Sequence, residues 1–169
     1  MPENINIEPS AEQALHKTLD FLKEIGIPVR MGPIPAKTLL PGLCISNGEL
    51  LVDMDQLKYP GDILHEAGHI AVVPAAERNS LNEDSIAKRE RREAEEMMAI
   101  AWSYAACVHL GIDASFVFHD KGYKSGGKAI AENFKAGHYV GVPMLQWTGM
   151  TLDPKKTGGY PKMIMWLKE

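Results

Sequence analysis

The sequence predicts an α+β fold, and three observations carry that expectation. Residues 10–26 show helical apolar spacing with a start and a stop signal. Two short apolar runs flank Asn47-Gly48. Two further helical patterns follow, one before Pro74 and one ending at Gly111. Of 169 residues, 45% are hydrophobic and 24% charged, a globular composition that excludes a disordered chain. The length fits a single domain over residues 1–169, with a core in about 10–110 and a C-terminal extension over 111–169. Lys and Arg total 18 against 22 Asp and Glu, a net charge of −4, so nucleic acid is not an expected partner. No apolar run approaches the ~20 residues that span a bilayer. Residues 1–8 lack the apolar stretch of a secretory signal. Cys44 and Cys107 stand far apart with no CxxC, as reduced thiols do in a reducing compartment. The expectation is a soluble, cytoplasmic protein with no membrane partner; its oligomeric state does not follow from the sequence.

Each element has a local cause. Ser10 with Gln13 forms a capping-box pattern, Ala11, Leu15, Leu19, Leu22 and Ile25 form a stripe, and Gly26 then Pro28 end the helix. Residues 27–31 read as extended, and Gly32-Pro33-Ile34-Pro35 as a rigid loop. Asn47-Gly48 between residues 43–46 and 49–54 is a hairpin signal. Leu50, Val52 and Met54 alternate with Leu51 and Asp53, so the second strand of the hairpin reads as half exposed, and as a strand to which an extended peptide can add. Asp62 is placed to cap a second helix that carries Ile63, Leu64, Ala67, Ile70 and Ala71. A polar loop is expected over 74–84, then a long third helix over about 85–110, charged in its first half and apolar in its second. Beyond Gly111, Val117-Phe118 reads as a strand and residues 127–134 as a short helix.

His65-Glu66-Ala67-Gly68-His69 carries the chemistry. Histidines four apart project from one helix face, with Cβ atoms about 6 Å apart. Both imidazoles can then reach one tetrahedral Zn²⁺ at about 2.0–2.1 Å. Glu66 lies about 100° around the helix from His65. It is set to take a proton from a water that the ion activates, and not to ligate. A third protein ligand is required. Val72 and Ala75 replace the Gly and His of a metzincin extension. A carboxylate of the third helix is the alternative, from Glu90, Glu93, Glu95 and Glu96. Glu95 and Glu96 are the last charges before the apolar half and fit best, although Arg91 with Glu95 and Arg92 with Glu96 also have the spacing of surface pairs.

This order of elements resembles the compact zincin peptidases of the ImmA/IrrE type, on the gluzincin branch. Those families share a Glu-x-x-Ala pattern for the third ligand, which Glu96-Met97-Met98-Ala99 matches, 27 residues after His69. The resemblance covers about residues 10–110. It implies a zincin-like fold, in which an N-terminal helix and a small sheet with a hairpin pack on the HExxH helix and the long third helix. It also implies zinc held by His65, His69 and Glu96, with Glu66 as general base; Glu95 and then Glu93 stand as fallbacks to Glu96. Ile100 follows Ala99 where those families carry Asn or Asp.

Amide hydrolysis also needs a donor for the oxyanion. His119, Tyr123, His138 and Tyr139 are available, and His119 and Tyr123 are the residues assigned. His16 and His109 carry no expected role. Trp102, Trp147 and Trp166 read as core, and the methionines as packing filler. The expected function is a zinc-dependent hydrolase acting on a peptide or protein. The alternatives are a zinc-binding regulatory or sensor module without catalysis, and a metal hydrolase of a small molecule.

Overall fold

Helices and a small sheet surround one continuous core in an α+β arrangement. The computed structural model describes residues 8–169; residues 1–7, most of the segment read for a secretory signal, lie outside them. The first helix, α1 (Ala11–Ile25), starts as its sequence dictates. Ser10 Oγ accepts from Gln13 N at 3.2 Å, and Gln13 Oε1 accepts from Ser10 N at 2.8 Å. A cap of this kind contributes about 1 kcal/mol. Gly26 closes the helix in the left-handed region at φ 88°. The buried face is Ala14, Leu15, Thr18, Phe21 and Leu22; Ala11 is exposed.

Three strands follow: β1 (Val29–Met31), β2 (Leu43–Ser46) and β3 (Glu49–Val52), in the order β1-β3-β2. The hairpin forms as expected, with Asn47 at φ 51° and Gly48 at φ 73° supplying the two left-handed residues of a tight turn. Gly48 has a second reason to be glycine: a Cβ there would sit 2.3 Å from the Arg78 carbonyl oxygen. Two expectations for β3 fail. It is the central strand, parallel to β1 and antiparallel to β2, so neither edge is free for a peptide. It also stops at Val52. Asp53 turns inward and accepts from Ile34 N at 3.1 Å and Gln56 Nε2 at 2.6 Å, which leaves Met54 exposed. The free edge beside α2 is β2.

The second helix, α2 (Asp62–Ala71), buries Ile63, Leu64, Ala67, Ile70 and Ala71. Asp62 does not cap it. Gly61 holds that position, because any Cβ there would overlap the Phe116 carbonyl oxygen at 1.7 Å. The expected loop and long helix divide differently. Short helices α3 (Ala75–Arg78) and α4 (Glu83–Ala87) come first, and α5 (Arg92–Leu110) starts seven residues later than read. Asn82 and Ser85 cap each other at the start of α4, so Ser85 lies inside that short helix. Arg89 then binds Glu95 through Nε (2.6 Å) and an Nη (2.9 Å). Residues six apart do not share a face of a straight helix, so this pair requires the bend at residues 88–91.

Gly68 lets α5 come close: a Cβ there would stand 3.0 Å from the Ala99 carbonyl oxygen. The C-terminal part then completes the same core. Val117 and Phe118 are buried but form no strand; they leave a 3₁₀ turn at Ala114–Phe116, where Phe118 N donates to Ala114 O. The short helix α6 (Gly127–Lys135) forms as read, while α7 (Val142–Trp147) was not expected. Trp102 is buried and donates to Trp166 O at 2.9 Å, Tyr160 donates to Ala101 O at 2.8 Å, and Lys168 N donates to Ala71 O at 2.9 Å. Trp147 departs from the core expectation: it is 90% exposed. Cys44 and Cys107 are free thiols, and burial pushes Cys107 up to about 12. Among the described residues, no helix is long and apolar enough to cross a membrane.

Candidate metal centre

His65, Glu66 and His69 project from α2, which is fixed by its buried face against the sheet and α5. Glu96 comes from the first turns of α5. The His65 and His69 Nε2 atoms are 3.2 Å apart, and the Glu96 carboxylate oxygens lie 3.4 Å from the first and 2.9 Å from the second. Donors bonded to one tetrahedral zinc at 2.0–2.1 Å stand roughly 3.3 Å apart. The separations lie near that value, with one Glu96 oxygen beside each histidine. Among the described residues, these three make the one His, Cys, Asp and Glu group close enough to hold an ion.

The electrostatics fit the same occupant. Burial opposes ionisation of Glu96, but hydrogen bonds to His65 and His69 outweigh it and hold the carboxyl well below the usual range. Burial likewise opposes a charge on His69, and the Glu96 and Glu66 carboxylates overcome it and raise its pKa. Two imidazoles and two carboxylates around one point attract positive charge, whether a proton or a divalent ion. This donor set fits zinc and also other divalent ions that accept two imidazoles and a carboxylate.

Adjacent carboxylates on α5 have separate fates. Glu95 is buried and its oxygens are held by Arg89, which also binds Glu77 at 2.9 Å. Glu93 is exposed on the rim, and Glu90 is exposed beyond it. The structure brings Glu96 to the histidines and none of the other three. Neither Arg91 nor Arg92 makes the i,i+4 pair that its spacing allows.

Glu66, His69 and Glu96 open onto a cleft of about 580 Å³ with an apolar wall of Leu39, Leu40, Ile86 and Met97. Glu66 lines the same cleft and, among the described residues, forms no ion pair. The opposite side of His65 is closed. There His119 Nε2 meets Asp62 Oδ1 at 2.7 Å and its ring stacks on Tyr59, with centroids 4.2 Å apart. Tyr123 sits edge-on to His65 with centroids 5.2 Å apart. Its backbone, with Lys124 and Ser125, is left-handed at φ 53°, 53° and 67°, a costly run for side-chain-bearing residues. Burial, with the Glu96, Asp62 and Glu66 charges, raises the Tyr123 hydroxyl pKa, so it stays protonated. His65 Nδ1, His119 Nδ1 and the Tyr123 hydroxyl are buried without hydrogen-bond partners among the described residues.

Of the four residues named as oxyanion donors, His119 and Tyr123 therefore stand behind His65 and do not line the cleft. His138 is exposed, and Tyr139 packs on Tyr160 at 4.8 Å, away from the centre. Sequence reasoning missed Asp62 as the partner of His119, Arg89 as the holder of Glu95, and Leu39, Leu40 and Glu83 as cleft residues. Asp62 had a readable signal, since it precedes His65 by three positions and so shares its helix face. Arg89 had none, because its role depends on the bend. No family model matches the chain, and no curated protein or solved structure matches it.

Proposed function

We propose that this protein is a zinc-dependent peptidase with a zincin-like fold, of the kind its HExxH and Glu-x-x-Ala motifs resemble. The observation that carries the proposal is the close approach of His65 Nε2, His69 Nε2 and the two Glu96 carboxylate oxygens, with Glu66 lining the same open cleft. Zinc held by these three ligands supplies a Lewis acid and a water nucleophilic near neutral pH. Glu66 accepts the proton of the attacking water and delivers it to the departing amine. Its separation from His65 around the helix keeps its carboxylate on the cleft side.

The shape of the cleft favours a chain-like substrate over a small molecule. Glu83 lines the main cleft and also a second hollow of about 360 Å³ that runs beside Cys44, Ile45 and Ser46 of β2. Leu50 N donates to Pro28 O on the β1 side at 2.9 Å. Ile45, opposite Leu50, therefore turns its N–H and C=O to the open side of β2. An extended peptide can add there, with an apolar side chain against Leu40 and Ile86. The free thiols support a reducing, cytoplasmic setting.

The test is turnover of a quenched fluorescent peptide library by purified protein, with elemental analysis of the same sample. Stoichiometric zinc with cleavage that a chelator abolishes and zinc restores is the expected result. Stoichiometric zinc without cleavage of any peptide points to the binding module; cleavage that is indifferent to chelation rejects the reading.

A further inference from the structure

The cleft has one feature that the hydrolytic chemistry leaves unused. Glu83 lines both the main cleft and the hollow beside β2. Its carboxylate, partly buried, takes part in no ion pair and accepts no hydrogen bond among the described residues, although α4 is already capped by Asn82 and Ser85. The neighbouring cations do not neutralise it. Arg92, across the main cleft, donates to the Ala87 carbonyl at 3.0 Å, and Lys37, on the outer hollow, forms no ion pair. Burial and the Glu66 and Asp84 charges raise the Glu83 pKa, as befits a carboxylate that lacks a counter-charge.

We propose that Glu83 selects substrates with a positively charged side chain, Lys or Arg, within two residues of the bond that is cleaved. The inference rests on the peptidase reading of the metal centre. An extended chain advances about 3.3 Å per residue, and the cleft of about 580 Å³ is lined by the metal-site residues Glu66, His69 and Glu96 as well as by Glu83. Glu66 and Glu83 are near enough for the Glu66 charge to act on Glu83, so one extended chain lying in the cleft passes both. Glu83 also lines the hollow beside β2, so a chain that adds to β2 runs on past Glu83 and presents it a side chain, not a free amino terminus. Apolar contact with Leu40, Ile86 and Met97 alone would not discriminate charge; a carboxylate without a counter-charge does.

The experiment compares peptides that carry Lys or norleucine at each position within two residues of the cleaved bond, each with an acetylated or a free amino terminus. Turnover is measured with the zinc-loaded wild type, and affinity with the Glu66→Gln protein by fluorescence anisotropy. Lys at one position should be favoured over norleucine by about tenfold or more, mainly through KM and affinity, in line with a charged hydrogen bond. The preference should vanish in Glu83→Gln, persist in Asp84→Asn, and be indifferent to acetylation. Equal behaviour of Lys and norleucine, absence of binding by both, or a preference that survives Glu83→Gln overturns the proposal. A requirement for the free amino terminus assigns the cation to the chain end and also overturns it. If no peptide is cleaved at all, the peptidase reading fails, and the affinity arm still decides what Glu83 binds.

Discussion

The two sides of His65 are built on opposite principles. On the cleft side, Glu66, His69 and Glu96 are half-buried and turn their polar atoms toward one point or toward open space. On the closed side, Asp62, His119 and Tyr123 are packed under Tyr59 and Phe118, with rings stacked or edge-on and polar atoms shut from solvent. One side can exchange ligands and protons with the outside; the other can only hold its neighbours in place. The two sides therefore differ in what a substitution should move: metal and turnover on the cleft side, stability on the closed side.

The largest effect is expected from His65→Ala combined with His69→Ala. Two of the three proposed ligands are lost, and elemental analysis should find no stoichiometric zinc. Retained metal would move the site elsewhere. In the wild type, protons compete with metal for the same imidazoles. Because the neighbouring carboxylates raise the His69 pKa, His69 still holds its proton at a pH where an ordinary histidine has lost it. Zinc affinity, measured against a chromophoric chelator, should begin to fall on acidification at a pH above the usual histidine value.

Next comes Glu66→Gln. The amide keeps the shape and loses the basic oxygen. Zinc content should stay at the wild-type level while peptide turnover falls by ~10²-fold or more. Full turnover in this variant would remove Glu66 from the chemistry. A binding module would instead keep its partner interaction intact.

Glu96 and Glu95 sharpen the comparison inside one helical turn. Glu96→Ala should weaken zinc affinity by at least an order of magnitude, as loss of a direct ligand requires. Glu95→Ala should leave affinity near wild type and lower stability, because Arg89 keeps only its partner Glu77 in a partly buried place. Losing a hydrogen-bonded charge partner there costs about 1–3 kcal/mol, readable as a lower Tm. Equal zinc loss in both variants would contradict the separate partners of the two carboxylates.

These adjacent glutamates also mark how far the sequence could be read. The HExxH helix, the Asn47-Gly48 hairpin and α1 were legible because their signals are local: spacing, caps and turn residues act within a few positions. Glu96 was singled out by a motif, but Glu95 and Glu96 differ only by the roughly 100° step around one helix. Which of the two meets α2 and which meets Arg89 is decided by how α5 packs and by the bend at 88–91. The sheet order was equally hidden. Nothing local says that residues 29–31 pair beside 49–52 and so leave β2, not β3, at the edge. In the C-terminal part, α7 had signals that can be read in retrospect. Gly141 is left-handed at φ 81° and Pro143 lies in the first turn. Val117-Phe118 was too short an apolar run for its type to be decided, since two buried residues suit a turn as well as a strand.

The smallest effect is expected on the closed side. The Tyr123 hydroxyl is buried without a partner, so the fold carries its desolvation cost with no hydrogen bond in return. Tyr123→Phe removes that cost and keeps the ring against His65 and Phe118, at 5.2 and 5.3 Å between centroids. Tm should be unchanged or slightly raised, by no more than the equivalent of about 1 kcal/mol. Zinc should stay stoichiometric, and turnover should stay within about threefold of wild type, since a hydroxyl shut behind His65 does not reach a substrate in the cleft. His119→Ala is the contrasting variant. It strips Asp62 of its 2.7 Å partner and Tyr59 of its stacked ring, so it should lower Tm well beyond Tyr123→Phe while zinc still binds. A fall in kcat of tenfold or more in Tyr123→Phe, with zinc and Tm intact, would break the comparison. That result would make the left-handed segment at residues 123–125 a moving part that carries the hydroxyl to the reaction.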